Sequence, residues 1–522
     1  MYVMKSIIRI VLLLIGVLSI GCYEDKGNYD LVDYNKIEEV VLIPSLSNTA
    51  VYLGDTVRIA VSMQYKYPDR DTITGFEYVW KENWEGDTLG TSRVLEYVPG
   101  EAKSYTFYLH VREVATGITT RFSFSARVSS PYSSGWLIAS QRDGKPCLTF
   151  IRRDSRRNES NQLVYFWTDF VNIYDELHPG TPLNSNALVG VSTYPVSYSG
   201  DEVIVFHERG EGEILKGTDF SKMMNLKDDF MGGVLPSGFE PVSFARGGYC
   251  DYLLGKDGEV YWRSNLNGSS LAHETSFMDV PLYFPGGSVI DYFVDMRIYE
   301  AEFTLMHDKL KNRIVGCANS FSSSGMWNGK MLNITNTYRP EEFVNILNME
   351  GYKLIYCGDY TNGKSFVNIL KEESSGNYIY QNFKLMGYTA DFSVTEANRE
   401  IFAGSELISD NTVFFRLRRS SYLYFGEGSK LYFYDVNSKK VKLYTDFGSG
   451  NITQIIQDAE GTRVGITLDN GNFYLCEAVS TNVLGAENPG AVGILHHLSG
   501  LGDIKNMVWK WGTYSSMIGN RY

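Results

Sequence analysis

A histidine close to a second histidine or a carboxylate is the simplest start of a metal or acid–base site, and this chain offers seven histidines. "HERGE" at 207–211 and "HETSF" at 273–277 open like the helix of a zinc protease, but neither supplies the second histidine that would complete two ligands on one face. His496 and His497 are adjacent within a strand-like string, where neighbouring side chains point to opposite faces, so one metal would not naturally meet both rings. "DYTNG" at 359–363 and "DNGN" at 469–472 set oxygen donors close together, as a structural calcium ion would require. An Asn-Gly turn brings the same residues together for backbone reasons alone, so no cofactor is expected and no metal ligand is assigned. The chain has no GxSxG elbow, phosphate-binding loop, dinucleotide fingerprint or EF-hand loop. No catalytic residue is therefore assigned.

One residue does carry a chemical expectation. Lys5 and Arg9 precede an apolar run from Ile10 to Ile20, which ends at Gly21-Cys22. Eleven residues at ~1.5 Å each fall short of a membrane span, and the basic start and small residues near the end fit an export signal. The segment resembles a bacterial lipoprotein signal. That resemblance implies cleavage before Cys22, a diacylglycerol on its thiol and an acyl chain such as palmitate on the new amino group. Two or three chains give stable anchoring, so residues 1–21 are expected to be a signal peptide and 22–28 an acylated tether. The usual leucine three places before the cysteine is Ser19 here, with Leu18 one place earlier.

Composition narrows the partners. The chain carries a formal charge of -13, and loss of Lys5 and Arg9 with the leader lowers this by two, to about -15. Such a balance speaks against nucleic acid and against an electrostatic grip on anionic lipid. About 500 exported residues exceed one core, so at least two domains are expected. Cys147, Cys250, Cys317, Cys357 and Cys476 are sparse and odd in number, which suits buried small apolar side chains better than a disulfide framework.

The elements that must position everything else read as strands. Over residues 29–128, "TAVYLGDTVRIAVSMQY", "GFEYVWKEN" and "YTFYLHVREVATG" alternate in polarity between turn residues, which predicts a two-sheet sandwich of immunoglobulin type with Trp80 as a core anchor. "CYEDKGNYDL" at 22–31, together with "LGDTVRI", "YVWKEN" and "YTFYLHVREVATG", resembles the PKD-like family of lipoproteins from Bacteroidetes. Its "YEDKGNYDY" string departs here only at Leu31. The resemblance implies an accessory lipoprotein of a nutrient-uptake locus with a TonB-linked transporter and partner lipoproteins. "YEDK" is also similar to the signals that send lipoproteins of this phylum to the cell surface, so the implied location is the outer membrane, facing outward.

"VSSPYSSGW" at 128–136 marks a boundary. Beyond it, strands meet at Asp143-Gly144, Asp257-Gly258, Asn362-Gly363 and Asn470-Gly471, dipeptides that tolerate the positive φ of two-residue hairpin turns. Strand-like openings recur near Trp136, Leu188, Val242, Val289, Asn345, Glu406 and Ile452. Stacked sandwiches, a β-helix and a propeller all use hairpins or short strands. The spacing of roughly fifty residues fits a β-propeller of about seven blades over 134–522 best, with six or eight also compatible. "NMVWKWGTY" is placed to close it against an early blade. The fold class expected is all-β, a PKD-like sandwich followed by that propeller.

Function then divides three ways. A binding protein is favoured: aromatic residues make up 14% of the chain, and Trp136, Trp167, Trp262 and Trp327 fall near strand ends where a glycan or peptide could stack. Strands also enrich aromatics for packing, so no binding residue is assigned. A hydrolase or lyase acting on glycans or peptides would need acids such as Asp169, Asp201, Asp251, Asp291 and Asp359 to converge from different blades. A structural spacer needs neither.

Overall fold

The computed structural model describes residues 35, 37–43, 51–67, 75–158, 160, 162–196, 200–247, 250–264, 275–294, 302–319, 321–322, 325–326, 329–361, 363–418 and 420–512. The leader, the tether with Cys22, and His273, Trp327 and Asn362 lie outside the described residues. The chain divides into two compact units, Met1–Val128 and Ser129–Tyr522.

The first unit has two sheets. One pairs Ile37–Ile43, Val57–Tyr65 and Val94–Tyr97; the other orders Val51–Tyr52, Thr119–Ser129, Ser104–Glu113, Phe76–Lys81 and Thr88–Gly90. Strict alternation in Ser104–Glu113 turns Tyr105, Phe107, Leu109 and Val111 inward against Val57, Ile59, Val61 and Leu95. Trp80 is fully buried in this core, and its indole N–H donates to the carbonyl of Ser92 at 2.9 Å. A buried indole keeps its packing only if that donor is satisfied, and here it is.

The second unit is a succession of packed sheets, loosely propeller- and sandwich-like, whose strands are antiparallel except that Asn333–Thr335 adds parallel to Asp391–Ile401 at the edge of its sheet. Its first strands are Leu188–Val196, Pro241–Arg246, Ile290–Phe293, Tyr352–Asp359, Val413–Arg416 and Ile452–Gln457, each followed by its neighbours in chain order. Phe321–Ser322 and Gly325–Met326 form a two-stranded sheet, and a further sheet is ordered Leu163–Phe170, Lys145–Arg157, Gly135–Arg142 and Asp503–Lys510, so it combines the opening of the unit with its last described strand. Trp509 pairs with Trp136 across that junction, the rings meeting edge-on at 4.9 Å between centroids. Trp136, Ile138 and Ile151 of this sheet also bury against Ile456, Phe473 and Leu475 of the last one. Helices among the described residues are single turns such as Ile173–Leu177 and Thr481–Gly485, and none is long and apolar enough to cross a membrane.

The turn signals work as the backbone chemistry requires. Asp143 and Gly144 have φ of 50° and 75°, and Gly258 and Gly471 have φ of 87° and 77°. The Ser/Pro-rich stretch at 129–133 is fastened to the second unit: Ser130 Oγ donates to the carbonyl of Thr218 at 2.6 Å. The five cysteines among the described residues are buried and unbridged, and burial pushes the Cys317 thiol up to about 12.

Candidate functional site

Charged side chains collect at one equivalent place in the second unit, where the first strand of a sheet ends and the next begins. Arg246, Asp359 and Arg416, with the uncharged Gln457, each close a first strand, opposite Asp251, Phe366, Leu423 and Val464, and Lys510 closes the last described strand opposite Gly135. Polar residues here suffer desolvation from the packed sheets, so each must find a partner.

Lys510 Nζ donates to Asp201 Oδ1 at 2.6 Å and to the carbonyl of Tyr132 at 2.7 Å, and the N–H of Gly512 donates to Asp201 Oδ2 at 3.2 Å. Burial pushes Asp201 up and Lys510 down from their ordinary pKa values, and each charge pulls the other back. Gly217 passes so close that a Cβ there would lie 2.0 Å from Asp201 Oδ1, which no side chain tolerates.

Arg263 sits between two acids. Its Nε donates to Asp251 Oδ2 at 2.8 Å, and its Nη1 to Asp229 Oδ2 at 2.6 Å and to the carbonyl of Thr275 at 3.0 Å. The guanidinium lies 4.5 Å from the Phe277 ring centre, while Arg246 covers Tyr194 at 4.0 Å. Burial disfavours the Arg263 charge, but Asp251 and Asp229 outweigh it and raise its pKa. For Asp229, burial wins over the pull of Arg263 and holds the carboxyl at about 6. Later in the chain, Arg416 Nη1 donates to the carbonyls of Leu417, Ser420 and Tyr422, each at 2.8 Å. The N–H of Arg418 donates to Gln457 Oε1 at 2.9 Å, linking two sheets.

The five acids singled out from sequence thus go five separate ways. Asp201 meets Lys510 and Asp251 meets Arg263, as described. Asp169 Oδ1 lies 2.8 Å from His496 Nε2, and Asp291 Oδ1 lies 2.8 Å from His307 Nδ1. Asp359 Oδ1 accepts the N–H groups of Thr361 and Gly363 at 3.3 and 3.0 Å, so it shapes its own turn. General acid–base chemistry on a glycan or peptide uses two carboxyls, or a carboxyl and a histidine, facing one open space. Asp201, Asp251 and Asp359 instead face cations and backbone, and the two carboxyl–histidine pairs, Asp169–His496 and Asp291–His307, involve different sheets.

The histidine pair separates as well. His496 stacks on Trp167 with 6.1 Å between ring centres, whereas His497 stacks on Tyr474 at 4.3 Å and reaches Asn472 Oδ1 at 3.0 Å. In the "DNGN" turn, Asp469 accepts the backbone and side-chain N–H groups of Asn451 at 2.8 and 2.7 Å. Among the described residues, no group of three or more His, Cys, Asp or Glu side chains is arranged to hold a metal ion.

Open aromatic surface occurs at Tyr283 and Tyr388, which are exposed singly, and in two places where several apolar or aromatic side chains gather. Trp84, 51% exposed, follows Phe76–Lys81 and lies over the outer face of the five-stranded sheet. Tyr108 meets it edge-on at 5.5 Å, and the Arg121 guanidinium sits 4.9 Å from its centre. In the second unit, Leu163, Val164, Tyr165 and Phe166 are all exposed in succession. Of the tryptophans named from sequence as possible platforms, Trp136 is core, 2% exposed, and Trp167 and Trp262 are half-buried. Trp84 had a signal that was passed over: it stands in "KENWEGD", a polar turn with no strand to bury it. Lys510, Asp229 and Arg263 had none, because their partners lie elsewhere in the chain.

Residues 22–177 match the PKD-like family, a range that covers the sandwich and runs into the opening hairpin of the second unit. No curated protein matches the sequence. Among solved structures, a quinonprotein alcohol dehydrogenase-like protein from Bacteroides thetaiotaomicron VPI-5482 aligns at 11% identity over 92% of this chain and 97% of that one, with a TM-score of 0.32. Dihydro-heme d1 dehydrogenase NirN in complex with DHE aligns at 10% identity over 85% and 76%, with a TM-score of 0.35. The C-terminal WD40 domain of Sif2 aligns at 9% identity over 68% and 85%, with a TM-score of 0.33. At such scores none of the three informs the fold or the chemistry.

Proposed function

We propose that this is an outer-membrane lipoprotein, anchored through Cys22 and facing outward, that binds an extracellular polymer or a partner protein in nutrient uptake beside a TonB-linked transporter. Its second unit is read as a seven-bladed propeller. The register of Asp503–Lys510 on Gly135–Arg142, and the core shared by Trp136 with Ile456 and Phe473, support that architecture. The PKD-like match at 22–177 and the leader ending at Cys22 support the setting.

One observation carries binding over cleavage: the acids at the strand-end rim are spent on Lys510, Arg263 and the turn at Thr361, not on each other. A recognition protein needs rigid sheets and open aromatic faces, and Trp84 with Tyr108 and Arg121 offers one. Titrating the mature chain with soluble glycans and peptides tests this. Saturable binding without turnover is expected, and Trp84→Ala should weaken glycan binding by about 2- to 10-fold. Turnover by the purified chain, lost on substituting rim acids, would replace the reading with a hydrolase or lyase. Mass spectrometry of the mature N-terminus tests the anchor: any first residue other than an acylated Cys22 would refute it.

A further inference from the structure

We propose that the open edge of strand Leu163–Phe170 receives an extended segment of a partner protein in which acidic and apolar residues alternate. The inference rests on the binding reading above and specifies its protein-partner side.

Strand Lys145–Arg157 is longer than its neighbour: Lys145 to Ile151 pair with Gly135–Arg142, whereas Phe150 to Arg157 pair with Leu163–Phe170. Residues 152–157 and 163–168 therefore form a two-stranded arm running past the sheet. Leu163–Phe170 is the end strand of that sheet, so no described strand takes up its outer backbone groups. Such edges are normally blunted by lysine, proline or a bulge. This one has none: its string is "LVYFWTDF", and its register with Phe150 to Arg157 runs without a shift. A short, strongly β-forming window with Asp169 as its one charge, left open in this way, would aggregate unless something covers it.

The arm also selects for charge. Arg152 is engaged by Asp154 at 2.8 Å and Arg153 by Glu460 at 2.6 Å. Arg156 lies over Phe166 at 5.5 Å and has no ion-pair partner among the described residues. It pairs in register with Val164 and so shares that residue's face. An added strand would place alternate side chains on this face, where carboxylates reach Arg156, and the others against Leu163 and Tyr165. An unpaired cation on an aromatic edge, in a chain of net charge -13, marks a place for a negative partner.

The probes are synthetic peptides of alternating Glu and Val, the same with Lys for Glu, and the Glu peptide N-methylated at alternate residues. Fluorescence anisotropy with the detergent-solubilised full chain should show saturable binding of the Glu peptide. The Lys and N-methylated forms should bind at least about tenfold more weakly. Arg156→Glu should invert the charge preference, a result that misfolding does not give, and Tyr165→Lys should weaken the Glu peptide. Equal binding of the N-methylated peptide, or no binding of the Glu peptide, overturns the proposal. So does a dimer that Tyr165→Lys dissolves, which would make the occupant a second copy, or glycan binding that depends on the arm. Glycan binding retained by Arg156→Glu while no peptide binds would sink this inference alone, and loss of every interaction by the wild-type chain would sink the binding reading too.

Discussion

The two units solve the same problem, how to hold sheets face to face, with different chemistry. In the sandwich, the ion pairs among the described residues are at the surface: Arg58–Glu96 is 60% and 64% exposed, and Arg112–Glu77 is similar. In the second unit, Lys510–Asp201 and Arg263 with Asp229 and Asp251 are almost wholly buried. Two sheets with one shared core need only apolar complementarity, because a small slide leaves the contact area nearly unchanged. A succession of sheets needs each to sit at a defined angle and height against the next. Hydrogen-bonded charges specify that position, since a displaced buried charge loses its partner outright.

The largest test of this contrast is Lys510→Met, which strands Asp201 in an apolar junction. It should destabilise the second unit by about 3–5 kcal/mol, and adding Asp201→Leu should restore most of that loss. Denaturant unfolding that resolves the two units would measure both. If the single variant costs no more than a surface change, the buried pair does not organise the junction. The sandwich should respond to volume instead: Trp80→Ala is expected to cost about 3–4 kcal/mol in the first transition only.

A somewhat smaller effect is expected from acid. Burial raises the pKa of Glu213, but His207, Lys222 and the N–H of Asn184 outweigh it and hold the carboxyl at about 2. A carboxyl depressed in the folded state adds stability above its unfolded pKa, about 4.5, and that contribution is lost as pH falls toward 2. The second unit should therefore lose about 2–3 kcal/mol over this window, and Glu213→Gln should flatten the slope. An equally steep slope in Glu213→Gln would assign the acid sensitivity elsewhere. The smallest effect belongs to Arg58→Ala in the sandwich, expected within about 0.5 kcal/mol and read from the first transition.

What the sequence revealed follows from the range of the interactions. The hairpins at Asp143-Gly144 and Asn470-Gly471 are local, because residues of positive φ within the turn determine it, both Asp143 and Gly144 in the first and Gly471 in the second. Strand openings read near Leu188 and Ile452 start there, but those read near Asn345 and Glu406 begin at Tyr352 and Val413. In those stretches Phe343, Val344 and Ile346 are buried in loop segments, so apolar runs did not mean strand. The rim was illegible for another reason. Asp201 and Lys510 are 309 residues apart, and nothing near either residue names the other. Trp136 looked available because it follows a Ser/Gly turn, yet it lies in a strand with neighbours on both sides and sheets on both faces.

The pairing of Asp503–Lys510 with Gly135–Arg142 also sets an order of events during synthesis. The sandwich holds all its strands by Ser129 and can fold as soon as that length of chain is free. The opening strand of the second unit, six of whose eight residues are buried, must wait for its partner until residues 503–510 have been made. Contacts between such distant positions are slow to form, and an unpaired apolar edge is exposed meanwhile. A stop codon shortly before residue 503 would therefore leave that edge permanently open, making nascent-chain quality control the first place where such a truncation is felt.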